Sequence, residues 1–408
     1  MKNLQDIRAQ FPQLQEKVYG KALVYLDNAA TSLRPQSVVD CWQEMAFRYN
    51  ANVHRAVHKT ASEATLRYEQ ARRAVAEHIG AASEKEIVFT SGDTAALNLL
   101  ARCFEDAFVG AGDEIIVAQS EHHSNLVPWQ MLCSRKGAVL KCLPVDESGH
   151  LQIEALPQLL SKRTKLLCVA DVSNVLGLRN PVAQIVRIAH EKGCPVLVDG
   201  AQGIVHGSID VQALDCDFYT FSGHKVYAAP GTGVLYSKRK WLEAMPPFMG
   251  GGEMIESVAW EGATYAAPPY KFEAGTPNIA GVPTLVPALE MARTMGTGEI
   301  ALQADAVRDF VLDALLGIPG LRLFGVPADR AEKVPIFSFT VEGAHHEDLA
   351  LLLDKMGIAV RSGQMCAEPL MTRFGVTGML RASFAPYNTM QEAEYFVESL
   401  KKAIIMLR

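Results

Sequence analysis

Asp217 to Tyr236 reads DFYTFSGHKVYAAPGTGVLY. The apolar run Phe218 to Phe221 has strand character and stops abruptly at Ser222-Gly223-His224-Lys225. A loop with Pro230, Gly231 and Gly233 follows, then a second short strand at Val234 to Tyr236. Small and hydroxyl residues let backbone approach an anionic ligand closely. A lysine at such a strand end can form a Schiff base with an aldehyde cofactor. A surface lysine in a turn would read the same way, so Lys225 needs a second signal.

That signal lies upstream, in Val196-Leu197-Val198-Asp199-Gly200-Ala201-Gln202. A β-branched run ending in a carboxylate fits the carboxyl end of a buried parallel strand, where α/β sheets place their ligands. A carboxylate there can pair with a pyridine nitrogen and keep the ring protonated as an electron sink. The VDGAQ and SGHK segments together resemble the class V aminotransferase-fold enzymes that use pyridoxal 5'-phosphate, and in particular the cysteine desulfurases. The likeness runs from YLDNAATS at Tyr25 to RASFAPYNT at Arg381.

Composition is that of a soluble globular protein. The chain has 408 residues, 49% of them hydrophobic and 21% charged, which suits one large or two ordinary domains with a substantial core. A net charge of −6 gives no reason to expect nucleic acid or an anionic membrane as partner. The 8 cysteines are scattered without a CxxC pair, which argues against a disulfide framework or zinc site and for a reducing cytoplasm. No metal is expected. MKNLQDIRAQFPQLQEK lacks the apolar core of a signal peptide.

Leu4, Ile7, Phe11 and Leu14 recur at helical spacing and predict an amphipathic N-terminal helix. From Glu86 onward strands and helices alternate, the pattern of a doubly wound, mostly parallel sheet. Ile87-Val88-Phe89, Glu114 to Ala118, Lys165 to Ala170 and Val196 to Asp199 are its expected strands. Beyond residue 290 the alternation lapses and a smaller α+β domain is expected. We therefore expect a fold type I transferase, with a large cofactor-binding domain over 20–290 and a small domain formed by 1–19 and 291–408.

Several further segments read ambiguously by themselves. Thr90-Ser91-Gly92-Asp93-Thr94 opens a helix whose free N–H groups suit phosphate, although an ordinary capped start would look alike. Adjacent histidines at His122 and His123 rarely converge on one ion, and no third ligand stands at a telling spacing. Asn174, His54 and the Asn28–Ser32 turn could each be structural. Cys366 stands out because it lies in a polar, glycine-containing loop near Arg361, whereas the other cysteines fall in helix or strand patterns.

The family resemblance assigns roles to these positions. It implies that Lys225 carries pyridoxal 5'-phosphate, Asp199 pairs with the ring nitrogen, and His122 stacks on the ring as an acid/base. Gln202 would bond the phenolic oxygen; Thr94, Ser222 and His224 would hold the phosphate. Asn174 would bond cofactor or substrate, and Thr276 would reach the phosphate of a neighbouring subunit in a homodimer. Arg381 would grip the substrate carboxylate, with Ala30, His54 and Arg361 lining its site. Cys366, in RSGQMCAEP, resembles the nucleophile of the SufS/CsdA-like group, which takes sulfur from L-cysteine as a persulfide, leaves alanine, and passes sulfur to a SufE- or CsdE-like acceptor for iron–sulfur assembly.

Three positions depart from the family pattern. Met365 replaces a usual histidine, and Asp93 and Ala95 stand where threonine and glutamate are expected. A carboxylate beside phosphate is unfavourable, so Asp93 is expected to point away and cap its helix. Two other readings stay open: a selenocysteine lyase, in which Cys366 is dispensable, and a catalytically silent scaffold of the same fold.

Overall fold

A computed structural model describes residues 3–408 of the chain. Its main sheet has seven strands: β1 (Ile87–Thr90), β2 (Glu114–Ala118), β3 (Val139–Leu143), β4 (Thr164–Ala170), β5 (Val196–Asp199), β6 (Phe218–Ser222) and β7 (Gly233–Ser237). They lie in the order β1-β7-β6-β5-β4-β2-β3. Only β7 runs antiparallel to its neighbours. This is an α/β fold on a mostly parallel sheet, as the strand–helix alternation predicts.

The central strands are apolar along nearly their whole length because both faces are covered, whereas the edge strand β3 is only partly buried. Ile116, Leu167, Val169, Val196, Val198, Tyr219 and Phe221 enter one core. Their neighbours Ile115, Val117, Leu166, Cys168, Leu197 and Phe218 enter another core on the opposite face. That alternation is the two-residue period of a strand, here with an apolar partner on either side. On the second face the helix Asp93–Phe108 buries Leu97, Leu100 and Phe104. Each such side chain contributes about 1.5–3 kcal/mol of burial.

A second sheet follows, formed by β8 (Leu321–Phe324), β9 (Ile336–Val341), β10 (Arg361–Gly363) and β11 (Met379–Ser383), in the order β8-β9-β11-β10. All its pairings are antiparallel. Helices Gly298–Leu316, His346–Lys355 and Met390–Leu407 pack Val311, Leu315, Leu353, Phe396 and Leu400 against Phe337, Phe339 and Leu380. Val24 and Leu26 join this core too, because Val24–Tyr25 pairs in parallel with Ile358–Ala359. The helix Leu285–Met295, by contrast, buries Leu285, Ala288 and Leu289 in the core of the main sheet.

The amphipathic helix expected from Leu4 to Leu14 is only one turn and a half, Leu4–Arg8. Pro12 ends it, and Pro12–Gln15 forms a short 3-10 turn. The segment does not pack on the small sheet alone. Phe11 lies between Tyr227 and Tyr387, at ring distances of 5.9 and 4.6 Å, while Arg8 bonds Glu392 at 2.8 Å. Among the described residues no helix is long and apolar enough to cross a membrane.

Candidate active site

The carboxyl ends of β1, β4, β5 and β6 converge on one narrow cavity. It is lined by Asp93, His122, Ser124, Ala170, Val172, Asn174, Asp199, Ala201, Gln202 and Lys225. Lys225 arrives from the 3-10 turn Gly223–Lys225 that ends β6. Burial pushes its amine below the usual lysine range, against the opposing pull of Asp199 and Asp93. A lysine so placed, at the end of a strand and facing the cavity, can form an imine with an aldehyde cofactor.

Asp199 ends β5, and its Oδ1 accepts the Ala201 N–H at 2.9 Å. Burial raises its pKa, opposed first by the charge of Lys225. Gln202 donates from Nε2 to the Ala29 carbonyl at 2.9 Å, which ties the turn containing Ala30 to the cavity wall. His122 accepts the Ser124 N–H at Nδ1 (3.1 Å), leaving its proton on Nε2. Burial, helped by Lys225 and other nearby cations, drops its pKa to about 3, so the ring is neutral.

Asp93 overturns an expectation. It does not cap the helix Asp93–Phe108: Gly92 holds that position, and Asp93 is the first helical residue. Its backbone N–H donates to Ser222 Oγ at 2.7 Å. Its side chain turns inward, where Oδ1 is buried with no hydrogen-bond partner. Burial first, and then the facing Asp199 carboxylate, raise its pKa to about 8, with Lys225 opposing. One proton shared between these two acids removes the like-charge penalty.

Further carboxyl groups stand behind this pair. Glu121, raised to about 8 mainly by burial, accepts from Asn125 Nδ2 (2.7 Å) and from the Ala170 N–H (2.8 Å). Asp171, raised to about 7 by burial, accepts from Tyr219 Oη at 2.8 Å.

Arg381, on β11, comes from the other sheet and is almost wholly buried. It donates to the Asn174 carbonyl at 2.9 Å and to Asp27 Oδ1 at 3.2 Å, and its Nε has no partner. Burial lowers its pKa to about 10. Asn174 lines the cavity and its amide Nδ2 also donates to the Met365 carbonyl at 2.9 Å, so it holds the cysteine loop as well. In that loop Arg361 Nη2 stands 4.0 Å from Cys366 Sγ.

Two assigned residues lie elsewhere in the chain. His54 pairs with Glu69 at 2.9 Å beside Tyr68 and Tyr270, away from the Lys225 cavity. Thr276 is exposed on the loop after Phe272. Asp27, Glu121 and Asp171 were missed from sequence, where each reads as an ordinary turn or strand-end acid.

The residues present suit pyridoxal phosphate. Asp199 lies buried opposite Lys225, and a neutral imidazole borders the same cavity. The helix at Asp93 opens toward the cavity, and its first intrahelical bond is made by the Ala96 N–H to the Gly92 carbonyl (3.0 Å). The N–H groups of Thr94 and Ala95 therefore precede the ladder, as an anion cradle needs. A Cβ on Gly233 would lie 2.4 Å from Gly92, so this close backbone approach requires glycine. Among the described residues, no three His, Cys, Asp or Glu side chains gather as a metal site.

A lysine at the end of β6, a carboxylate at the end of β5 and a mostly parallel sheet define a class V aminotransferase architecture. The chain belongs to that family, whose model, described as "Aminotransferase class-V", matches residues 24–396. Among individual relatives, the chain is 45% identical over 407 residues to a Vibrio cholerae protein named "Probable cysteine desulfurase", with both chains covered completely. It is also similar to the solved cysteine desulfurase CsdA of Escherichia coli, in its S-sulfonic acid form, at TM-score 0.90 and 41% identity over 100% of both chains. The apo cysteine desulfurase of Thermococcus onnurineus matches at TM-score 0.94 and 36% identity, over 100% of this chain and 99% of that one.

Proposed function

We propose that this protein is a cysteine desulfurase that converts L-cysteine to L-alanine and keeps the sulfur as a persulfide on Cys366. The observation that carries the reading is the meeting of Lys225 and Asp199 from one sheet with Arg381 and the Cys366 loop from the other. When bound, pyridoxal phosphate supplies an electron sink for the charge left on the substrate Cα. Asp199 would hold the ring nitrogen, His122 the ring face, and Thr94, Ser222 and His224 the phosphate. Gln202 would meet the phenolic oxygen.

Arg381 would take the substrate carboxylate with its guanidinium fork, beside Ala30. Lys225, at the end of β6 in the same cavity, would remove the α-proton. The Cys366 thiolate attacks the substrate sulfur: a new S–S bond forms, the substrate C–S bond breaks, and the carbon skeleton leaves as alanine after protonation. Arg361 Nη2 stands 4.0 Å from Sγ, beside the reacting sulfur.

The protein would work as a homodimer. Trp42, Phe47, Val57 and Leu66 are 49, 79, 102 and 53% exposed on or beside the helices Gln36–Arg48 and Lys59–His78, an apolar face that a second copy would cover. Thr276 and His54, which do not line the Lys225 cavity of their own chain, would then serve a neighbour's. We place 20–290 in a cofactor domain, with 1–19 and 291–408 forming the domain that carries Cys366, and the protein in the cytoplasm. The persulfide sulfur would pass to a SufE- or CsdE-like acceptor for iron–sulfur cluster assembly. The test is alanine release from L-cysteine together with peptide mapping of the added sulfur. One extra sulfur on Cys366 is expected; a persulfide on another cysteine would reassign the nucleophile.

A further inference from the structure

Cys366 sits in a tight turn closed by a single backbone bond of its own, the Ala367 N–H to the Gln364 carbonyl at 3.0 Å. Met365 and Cys366 are consecutive non-glycine residues at φ 54° and 56°, in the left-handed region that side chains disfavour. The helix that follows, Glu368–Phe374, starts from Ala367, which has no side-chain oxygen to cap it. A strained loop running into an uncapped helix needs anchors from outside.

The anchors come from the other sheet. The Met365 carbonyl is taken by Asn174. The next two bonds both belong to His123. Its backbone N–H donates to the Cys366 carbonyl at 2.7 Å, and its ring Nε2 accepts the Glu368 N–H at 3.2 Å. The imidazole is thus the cap that Ala367 cannot supply. Behind it, Asn125 is fixed by Glu121 at 2.7 Å and by Trp129 Nε1 at 3.0 Å, deep in the core. His122, which borders the Lys225 cavity, belongs to the same segment.

We propose that His123 is a positioning residue that sets the reach of the nucleophile, by bracketing Cys366 between its own backbone N–H and ring Nε2 and so keying the cysteine loop to the His122 segment. The proposal rests on the reading of Cys366 as the sulfur-accepting thiol. It gives the second histidine of the pair a task distinct from that of the first: His122 faces the cavity, and His123 faces the loop.

The experiment compares wild-type holoenzyme with His123→Ala and His123→Gln. The ring is partly exposed, so neither change threatens the fold. Alanine removes the acceptor, whereas glutamine offers an amide oxygen near the place of Nε2. Amide hydrogen exchange over residues 366–368 and iodoacetamide alkylation at Cys366, mapped by peptide, report the tether without reference to turnover. In His123→Ala we expect exchange to rise roughly tenfold, the worth of one hydrogen bond, with altered alkylation. Alanine release should fall in kcat while KM for cysteine holds, and His123→Gln should recover most of both. Wild-type exchange and alkylation in His123→Ala would overturn the proposal. So would a loosened loop with unchanged kcat, or equal loss in the glutamine variant. If the wild type releases no alanine, the functional reading fails, and the exchange data still decide whether His123 holds the loop.

Discussion

Replacing Asp93 by asparagine keeps the shape and a donor toward Asp199 but removes a titrating group. In the folded cofactor-free protein the Asp93 carboxyl titrates at about 8, against 3.8 for the ordinary side chain. The folded state thus binds one more proton than the unfolded state between those values. Wild-type stability therefore falls as pH rises through this window, by about 1.4 kcal/mol per pH unit per proton. Over the whole window that is a ceiling of about 6 kcal/mol. The amide of Asp93→Asn carries no such proton, so the stability of the variant relative to wild type should climb from pH 5 to pH 8 and level off above. Glu121 and Asp171 titrate in both proteins; Asp199 faces an amide in the variant and loses its share of the common proton, which acts in the same direction. The assay is the urea midpoint of each cofactor-free protein at successive pH values. Parallel curves would refute the inward, shared-proton arrangement and return Asp93 to the role of a solvated acid.

Two other substitutions probe the scaffold and the substrate grip. Arg72 is buried and bonds Glu273 at 2.6 and 2.9 Å and the Ile87 carbonyl at 2.8 Å. Arg72→Met strands the Glu273 carboxylate and should cost about 3–5 kcal/mol in a denaturation experiment, part of which a second change, Glu273→Gln, should return. Arg381→Lys cannot reproduce the guanidinium fork, so KM for cysteine should rise by roughly 10- to 100-fold with the fold intact; an unchanged KM would show that another group binds the carboxylate.

The sheet and its two central ligand positions were legible because their signals are local. VLVDGAQ and FYTFSGHK are apolar runs ended by polar groups, as fits central strands buried on both faces whose carboxyl ends open onto a ligand site. The alternation after Glu86 similarly required a parallel sheet. Asp93 was misread because an acid at a helix start normally caps it; only the inward path of the backbone at Gly92 shows otherwise. Asp27 and His123 gave no local signal, since their partners, Arg381 and Glu368, are hundreds of residues away in the chain. The bond from Asn174 to the Met365 carbonyl was equally invisible, for the same reason. The break at Pro12 was visible in the sequence and was outweighed by the spacing of Leu4, Ile7, Phe11 and Leu14.

The central claim is that Cys366 takes the substrate sulfur, and one comparison tests it most directly. Alanine release is measured from L-cysteine and from L-selenocysteine with wild type and Cys366→Ala, while the cofactor's visible band is monitored. A thiolate sulfur is a poor leaving group from carbon and needs a second thiolate to accept it; selenium leaves more readily. The expected result is loss of alanine from cysteine, much of the selenocysteine activity retained, and an intact band, since Cys366 lies outside the Lys225 cavity. Undiminished alanine release from cysteine by Cys366→Ala would contradict the account.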